Sequence, residues 1–236
     1  MSSSQRKPFV SVIIAALNEE AAIAQVIRSV PKNVADEIVV VDNGSKDRTA
    51  EVASNAGARV VKEAIPGYGR AFRAGLRSIS DKCEVVVFLD GDGSDCPEMM
   101  DQLVQPISEG KADFVIGSRT RGRREPGSMN FHQVLAGYMV GFVLRMLYGV
   151  HSTDMGPFRA IRRATLDRLG LREETYGWPL EMQMRAARAH VRTIEVPVDY
   201  RRRAGGHSKI AGSLRGSVLA ATRILITLAR LAIQKG

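Results

Sequence analysis

The sequence is poor in cysteine, with only Cys83 and Cys96 among its 236 residues. The two stand at no spacing typical of a metal site, either with each other or with the four histidines. A disulfide framework and a cysteine–histidine metal centre are therefore not expected, and a reduced, cytosolic compartment is the simplest interpretation. The opening stretch, MSSSQRKPF, also lacks the apolar core of a signal peptide.

Long uninterrupted apolar runs are absent as well, although a membrane-spanning helix needs ~20 predominantly apolar residues. The two most apolar stretches, 133–150 and 213–234, are broken by arginine, the first at Arg145 and the second three times. No spanning helix is therefore predicted. Over 214–234 the arginines fall within one sector, which is typical of an amphipathic helix on an anionic membrane surface. A helix packed on the domain or on a partner subunit fits equally, and helix 131–150 leaves the same alternatives open.

A glycine-rich phosphate loop is also missing. The first apolar segment runs into AALNEEAA, which contains no glycine. A nicotinamide dehydrogenase would need G-x-G-x-x-G there, and a nucleotidyltransferase a glycine-rich loop. The chain does have an excess of positive charge, with 34 lysines and arginines against 25 acidic residues and a net charge of +9. This excess favours an anionic partner: nucleic acid, an anionic membrane or a phosphorylated small molecule.

Strand-like and helix-like segments alternate through the first half of the chain. Strands are predicted at 9–17, 36–42, 58–63, 84–90 and 112–119, and helices between them at 19–30, 45–57, 67–79 and 96–108. This alternation predicts an α/β domain over 1–213 with a mainly parallel sheet covered on both faces, and a separate helix over 214–236. A helix at 175–191 and a strand at 192–203 are predicted in the less regular second half.

Polar residues stand where four of the predicted strands end, and ligands of such sheets bind outside the carboxyl ends of the strands. They are Asn18, Glu19 and Glu20, then Asp42 and Asn43, then Asp90 and Asp92, then Ser118 and Arg119. These side chains are expected to converge on one edge of the sheet.

Asp90 and Asp92 form the most informative pair, because Gly91 and Gly93 allow the strand to break between them. Two such carboxylates suit Mg²⁺ or Mn²⁺, whose other ligands come from phosphates and water. A bridging cation would explain why a basic chain places acidic residues beside an anionic ligand. Three simpler interpretations compete: Asp95 as the cap of the next helix, a degenerate calcium loop, and a solvated acidic loop without a ligand.

Six short motifs follow one another along the chain: VIIAALNEE, VVVDNGSKDRT, FLDGDGSDCPE, VIGSR, DMGPFRAIRR and VDYRRRAGGHSK. Together they resemble the inverting GT-A glycosyltransferases of family 2, and most of all the dolichol- or polyprenyl-phosphate mannosyl- or glucosyltransferase branch. The resemblance spans residues 8–215. It implies a GT-A (Rossmann-like) three-layer fold, and transfer of a hexose, with inversion, from a GDP- or UDP-linked sugar to a polyprenyl or dolichyl phosphate.

The resemblance also implies roles for individual residues. The nucleotide-binding set is Ala15, Asn18, Glu19, Asp42, Asp90, Arg203 and Lys209. The metal ligands are Asp90 and Asp92, with Mg²⁺ or Mn²⁺ as the cofactor. Residues near the acceptor phosphate are Arg119, Arg201 and Ser208. Three departures leave the sugar and the acceptor open: Ala15 replaces a proline, Gly93-Ser94 replaces Leu-Gln, and Gly156-Pro157 replaces Ser-Gly.

The nature of the acceptor decides which further residues are needed. A lipid phosphate is already ionised and requires only positioning, by Arg119 and the basic loop at Arg121. A soluble or lipid hydroxyl requires a carboxylate base. Asp154 and Glu181 are the candidates, with a turn-forming aspartate and a solvated helical glutamate as the simpler interpretations. The expected catalytic residues are thus Asp92, Arg119 and Asp154.

A basic module that binds a membrane or nucleic acid without catalysis is the alternative from another class. Arginine-rich segments 119–124 and 201–203 flank the proposed site rather than a flat face with exposed aromatics, so no nucleic-acid partner is expected. A cytosolic enzyme at the inner face of a membrane fits the composition. Self-association is left open.

Overall fold

The computed structural model describes residues 6–205, so the predicted helix at 214–234 lies outside the described part. A seven-stranded sheet has the order β3-β2-β1-β4-β6-β5-β7. Its strands are β1 (Val10–Ala16), β2 (Glu37–Asp42), β3 (Arg59–Lys62), β4 (Val85–Asp90), β5 (Phe114–Ser118), β6 (Arg159–Arg162) and β7 (Thr193–Pro197). Within this sheet β6 pairs antiparallel with both β4 and β5, and the other pairings are parallel. The mainly parallel sheet is thereby confirmed.

Helices cover both faces of the sheet. They are α1 (Ile23–Ser29), α2 (Thr49–Asn55), α3 (Tyr68–Leu76), α4 (Met100–Ser108), α5 (Phe131–Tyr148), α6 (Arg163–Leu169) and α7 (Trp178–Arg188), with a 3₁₀ turn at Pro97–Met99. One core cluster joins the sheet to α1, α2 and α4, and a second joins it to α3, α6 and α7. The predicted three-layer arrangement is therefore confirmed.

Strand β1 shows why its sequence is apolar on both sides. Val12 and Ile14 belong to the core beneath α1 and α4, whereas Ile13 belongs to the core beneath α3. Successive side chains of a strand point to opposite faces, so a strand covered on both sides reads as a continuous apolar run.

Several elements are shorter than predicted, each for a local reason. Helix α2 begins only at Thr49, whose backbone N–H donates to Asp47 Oδ1 (3.0 Å), so the residues just before it form a local turn rather than part of the helix. Strand β7 ends at Pro197, and the chain then turns away from the sheet. Residues 198–205, called the crossing segment below, run back along 92–95, where the N–H of Arg201 donates to the Ser94 carbonyl (2.8 Å).

Helix α5 lies outside the two main layers and packs on α7. Val140 and Leu144 form a third apolar cluster with Leu180, Met184 and Ala187 of α7. Within residues 6–205, no helix is both long enough and apolar enough to cross a membrane.

The aromatic cluster behind β4 generates a stability prediction. Phe72 lies 4.8 Å from Trp178 and 5.1 Å from Phe88, measured between ring centroids, and is almost fully buried. Phe72→Ala should therefore lower the free energy of unfolding by ~3–5 kcal/mol, because the cavity left behind cannot fully collapse. Urea denaturation measures this loss. Phe142→Ala, at an exposed position of α5, is the matched control and should change stability by less than ~0.5 kcal/mol; equal losses would contradict the assignment.

Candidate active site

The carboxyl ends of β1, β2, β4 and β5 lie along the same edge of the sheet, as predicted. The register places Ala15 beside Asp90 and Ala16 beside Asp42. Position 91 favours glycine, because a Cβ there would lie only 3.1 Å from both the Ala15 carbonyl oxygen and the Ala16 Cβ, closer than ordinary van der Waals contact. The polar residues of β1, β2 and β4 are thus held together by main-chain pairing.

Three carboxylates crowd the end of β4. Gly93 has φ +79°, which turns the chain so that Asp92 and Asp95 follow Asp90 around a tight bend. Asp95 Oδ2 accepts a hydrogen bond from the Asp90 N–H (3.2 Å), and its buried Oδ1 has no partner among the described residues. Asp95 makes no capping bond to the helix that follows, so the interpretation as an N-cap is wrong. The sequence analysis did not predict this contact, because an aspartate shortly before a helix that begins with proline matches the pattern of an N-cap.

The electrostatics of these carboxylates fit a divalent cation. Burial, and then repulsion from Asp92, raise the pKa of Asp90 to about 7. Burial, with the charges of Asp90 and Asp92, raises the pKa of Asp95 well above its ordinary range. The described residues form no cluster of three or more metal-type ligands. Asp90 and Asp92 are the residues that would hold a divalent cation at this edge, and phosphates and water would supply its other oxygens.

Tyr68, at the start of α3, is a residue that the sequence analysis missed. Its hydroxyl donates to Asp90 Oδ1 (2.8 Å), and its ring lies against Phe72 and Tyr176. This bond stabilises the ionised form of Asp90 and orients it. Nothing in the local sequence points to Tyr68, because only the packing of α3 against the sheet brings it to the end of β4.

Arg203 joins the first strand to the carboxylate cluster. Its Nη1 donates to Asp92 Oδ2 (2.8 Å), and its Nη2 pairs with Glu19. The crossing segment holds Arg203 there, since the N–H of Ala204 donates to the Asp92 carbonyl (3.1 Å). Arg203 and Glu19 therefore lie beside Asp92, the proposed metal ligand.

Arg119, after β5, is held by Asp154. The Arg119 Nε and Nη2 donate to the two carboxylate oxygens of Asp154 (2.8 and 2.7 Å), and the Arg119 N–H adds a third bond (2.8 Å). Burial opposes the ionisation of Asp154, but the charge and hydrogen bonds of Arg119 outweigh it and lower the pKa of Asp154. A carboxylate held in this way is a poor proton acceptor, which argues against Asp154 as a general base and for a positioning role.

A chain of contacts links Arg119 to Asp92. The Arg119 guanidinium lies 4.9 Å from the centre of the Tyr200 ring, a cation–π distance. The Ser94 hydroxyl donates to Tyr200 (3.1 Å), and the Ser94 N–H donates to Asp92 Oδ1 (2.9 Å). Tyr200 therefore lies between the arginine and the carboxylate cluster. The motif YRRR contains Tyr200, but only the course of the crossing segment reveals its position.

The predicted nucleotide residues of β1 and β2 lie around one loop. The N–H of Lys46 donates to Asn18 Oδ1 (2.7 Å), and the N–H of Ser45 donates to Asp42 Oδ1 (3.0 Å). Asn43 accepts from the Gly67 N–H (2.8 Å) and so fixes the start of α3, which carries Tyr68.

Other predicted residues have different surroundings. Arg121 donates to the Glu195 carbonyl (2.9 Å) and Arg201 pairs with Glu98, so the structure does not bring these side chains to the carboxylate cluster. Glu181 is fully buried rather than solvated, accepts from the Glu173 N–H (2.6 Å) and pairs with its α7 neighbour Arg185 (2.9 Å). The expectation of a solvated helical glutamate is wrong, and these bonds occupy the carboxylate that a base would need. Ser208 and Lys209 lie outside the described residues.

Comparison with known proteins decides the family. The model of the Glycosyl transferase family 2 matches residues 11–170. The chain belongs to this family. It is 37% identical, over 89% of its length and 94% of the relative, to an uncharacterised glycosyltransferase of Mycobacterium tuberculosis. It is 31% identical to the undecaprenyl-phosphate mannosyltransferase of Micrococcus luteus, with 78% of this chain and 79% of that protein covered.

A solved structure shows the same fold with ligands. It is glucosyl-3-phosphoglycerate synthase from Mycobacterium tuberculosis in complex with Mn²⁺, uridine-diphosphate-glucose and phosphoglyceric acid. The TM-score is 0.77 at 25% identity, with 95% of this chain and 80% of that chain covered. This family 2 chain therefore has the GT-A fold and is a glycosyltransferase, which rules out the non-catalytic binding module.

The raised pKa of Asp90 predicts an unusual pH dependence of stability. A carboxyl whose folded pKa lies above its unfolded value loses stability as the pH rises from about 4 to about 7. Asp90→Asn removes this cost. At pH 8 the free energy of unfolding of the metal-free variant should therefore exceed that of the wild type, by up to ~4 kcal/mol for a pKa raised from about 4 to about 7, and near pH 4 it should not exceed it. Thermal melts across this range test the sign. Exposed Asp101→Asn is the control, and a pH-independent effect of Asp90→Asn would refute the assignment.

The Tyr68 hydroxyl predicts an effect on nucleotide binding. Tyr68→Phe keeps the ring contacts but removes the bond to Asp90. A hydrogen bond to a charged group contributes ~1.5–3 kcal/mol, so Mn²⁺-dependent binding of UDP or GDP should weaken by about tenfold or more. Calorimetric titration measures the change. Tyr176→Phe, whose ring stacks on Tyr68, is the matched control. Equal affinities for the wild type and Tyr68→Phe would show that the bond does not position Asp90.

Proposed function

We propose that the chain transfers a hexose, with inversion, from a GDP- or UDP-linked sugar to a polyprenyl phosphate, using Mg²⁺ or Mn²⁺. Two relationships support the donor and the acceptor. The synthase of similar structure contains Mn²⁺ and uridine-diphosphate-glucose. The relative from Micrococcus luteus is named for transfer to undecaprenyl phosphate.

The Arg119–Asp154 pair is the observation that carries the choice of acceptor. It places a buried cation beside the site and occupies the carboxylate that would otherwise act as a base. A phosphate acceptor is already ionised near neutral pH, so it needs a fixed positive group and no proton acceptor. The pairing fixes the guanidinium, and a fixed donor loses less entropy on binding a phosphate than a mobile one.

The other residues of the site would stabilise the negative charge that develops on the leaving group. When the acceptor oxygen attacks the anomeric carbon, the bond to the nucleoside diphosphate breaks and negative charge grows on its terminal phosphate. A divalent cation held by Asp90 and Asp92 would supply electrostatic stabilisation of this charge. Arg203 adds a second positive group beside Asp92, and the Tyr68 hydroxyl orients Asp90. Asn18 and Asp42, with Ala15, border the space for the base and ribose.

A soluble phosphorylated acceptor is the second candidate. The synthase of similar structure contains phosphoglyceric acid, which also carries a phosphate. Arg119 would bind the phosphate of either acceptor, but the attacking group differs. A polyprenyl phosphate attacks through its own ionised oxygen, whereas phosphoglyceric acid would attack through a hydroxyl, which requires a proton acceptor.

A donor and acceptor panel with the variant Arg119→Lys tests the proposal. Nucleoside diphosphate release should require Mg²⁺ or Mn²⁺ and should be stimulated by a polyprenyl phosphate more than by phosphoglycerate. Lysine keeps the charge but cannot make the two-pronged contact with Asp154, so kcat/KM should fall by about 100-fold or more.

Donor binding separates this effect from misfolding. Arg119→Lys should still bind the nucleoside diphosphate with Mn²⁺, because Arg119 lies on the acceptor side. Arg59→Lys, an exposed residue of β3, is the matched control and should transfer at the wild-type rate. Wild-type transfer by Arg119→Lys would exclude the role of Arg119 in holding the acceptor phosphate. Stimulation by phosphoglycerate alone would exclude the lipid-phosphate acceptor.

A further inference from the structure

Helix α5 presents an apolar face that no described element covers. Its opposite face is buried through Gly137, Val140, Gly141 and Leu144. Seven large apolar side chains are exposed: Phe131, Leu135, Tyr138, Met139, Phe142, Met146 and Leu147. Phe142 and Met146 are 65% and 70% exposed, values that a helix facing water normally reserves for polar residues. A contiguous exposed patch of this kind marks an interaction surface.

We propose that this α5 face docks in the plane of an anionic lipid bilayer and holds the active site at the membrane surface. The inference rests on the proposed function, since it says how a lipid-held acceptor reaches the site. An amphipathic helix that lies in the plane of the membrane surface buries its apolar face at the boundary between headgroups and acyl chains.

The charge around α5 favours an anionic surface. Residues 119–150 contain five arginines and a single acidic residue, Glu125. Arg123 and Arg124 are exposed in the loop that leads into α5, and Arg145 is exposed on the helix itself. Basic groups next to an inserted apolar face are attracted by anionic lipids.

The same charges disfavour a second copy of the chain on this face. A two-fold contact through α5 would bring two sets of arginines together, with one glutamate in each copy to offset them. Lipid imposes no such repulsion, and the long side chain of Arg145 can extend to the headgroups while its stem stays among apolar groups. Tyr138 has the apolar ring and polar tip that suit the same depth.

The packing of α5 places this surface next to the acceptor side of the site. A Cβ on Gly141 would overlap the Ser152 carbonyl oxygen, and one on Gly137 would lie 3.4 Å from the Thr153 carbonyl oxygen. The two glycines thus let α5 pack closely on the loop segment 152–153, which leads directly into Asp154, the partner of Arg119. A helix with its side chains is about 10 Å across, so the outer face lies about one helix diameter from the Arg119–Asp154 pair.

Vesicle flotation of the full chain tests the proposal. The wild type should bind vesicles with one third anionic lipid, and less strongly vesicles of neutral lipid. Phe142→Ser with Met146→Ser should weaken binding by about tenfold or more, because two inserted apolar side chains are lost. Ile65→Ser, an exposed apolar residue outside α5, is the matched control and should bind as the wild type. Arg123→Ser with Arg124→Ser should weaken binding to anionic vesicles only.

Separate readouts distinguish this surface from the proposed reaction. The α5 variants should keep Mn²⁺-dependent nucleotide binding and transfer to a short-chain polyprenyl phosphate in detergent, while losing transfer on vesicles. Vesicle binding through α5 without any transfer to a lipid phosphate would support the membrane-docking surface and refute the proposed transfer reaction. Flotation of the Phe142→Ser, Met146→Ser variant equal to that of the wild type would overturn the proposal that α5 docks on the membrane. The proposal would also be overturned if the wild type formed a dimer in light scattering and did not bind vesicles, and if the double α5 variant were monomeric.

Discussion

The concentration of carboxylates at the end of β4 is the constraint on which the rest of the site depends. Asp90, Asp92 and Asp95 lie within one tight bend, and burial with mutual repulsion raises the pKa of Asp90 and of Asp95. Such a cluster is unfavourable unless positive charge or hydrogen bonds offset it. The chain supplies a hydroxyl from Tyr68 and a guanidinium from Arg203, and the chemistry of the remaining oxygens suits a divalent cation.

Two arginines hold the two sides of the site. Arg203 belongs to the crossing segment and pairs with Asp92 and Glu19, residues that follow different strands. Arg119 follows β5 and is fixed by Asp154. Tyr200 contacts both regions, through the ring face for Arg119 and through Ser94 for Asp92. A ligand that moves the crossing segment would therefore alter both sides together.

The sheet edge could be predicted because parallel strands follow a simple rule. Apolar runs before Asn18, Asp42 and Asp90 predicted strands, and strands joined by helices place their carboxyl ends on one side. The sequence did not show where each element stops. Strand β7 ends at Pro197, which has no N–H to donate to a neighbouring strand. Helix α2 starts late because the turn at Asp47 provides local hydrogen bonds that compete with the helix.

By itself, the sequence determined which residue types stand at the strand ends, and hence the fold class and the acidic cluster with its glycines. Tertiary structure decided what each side chain contacts. It placed Asp95 under the cluster instead of on the next helix, buried Glu181 against Arg185, and brought Tyr68 to Asp90. The physical reason is that the positions of the strands, and the edge on which parallel strands end, follow from local periodicity and chain connection. Side-chain partners far apart in sequence follow only from how the layers pack.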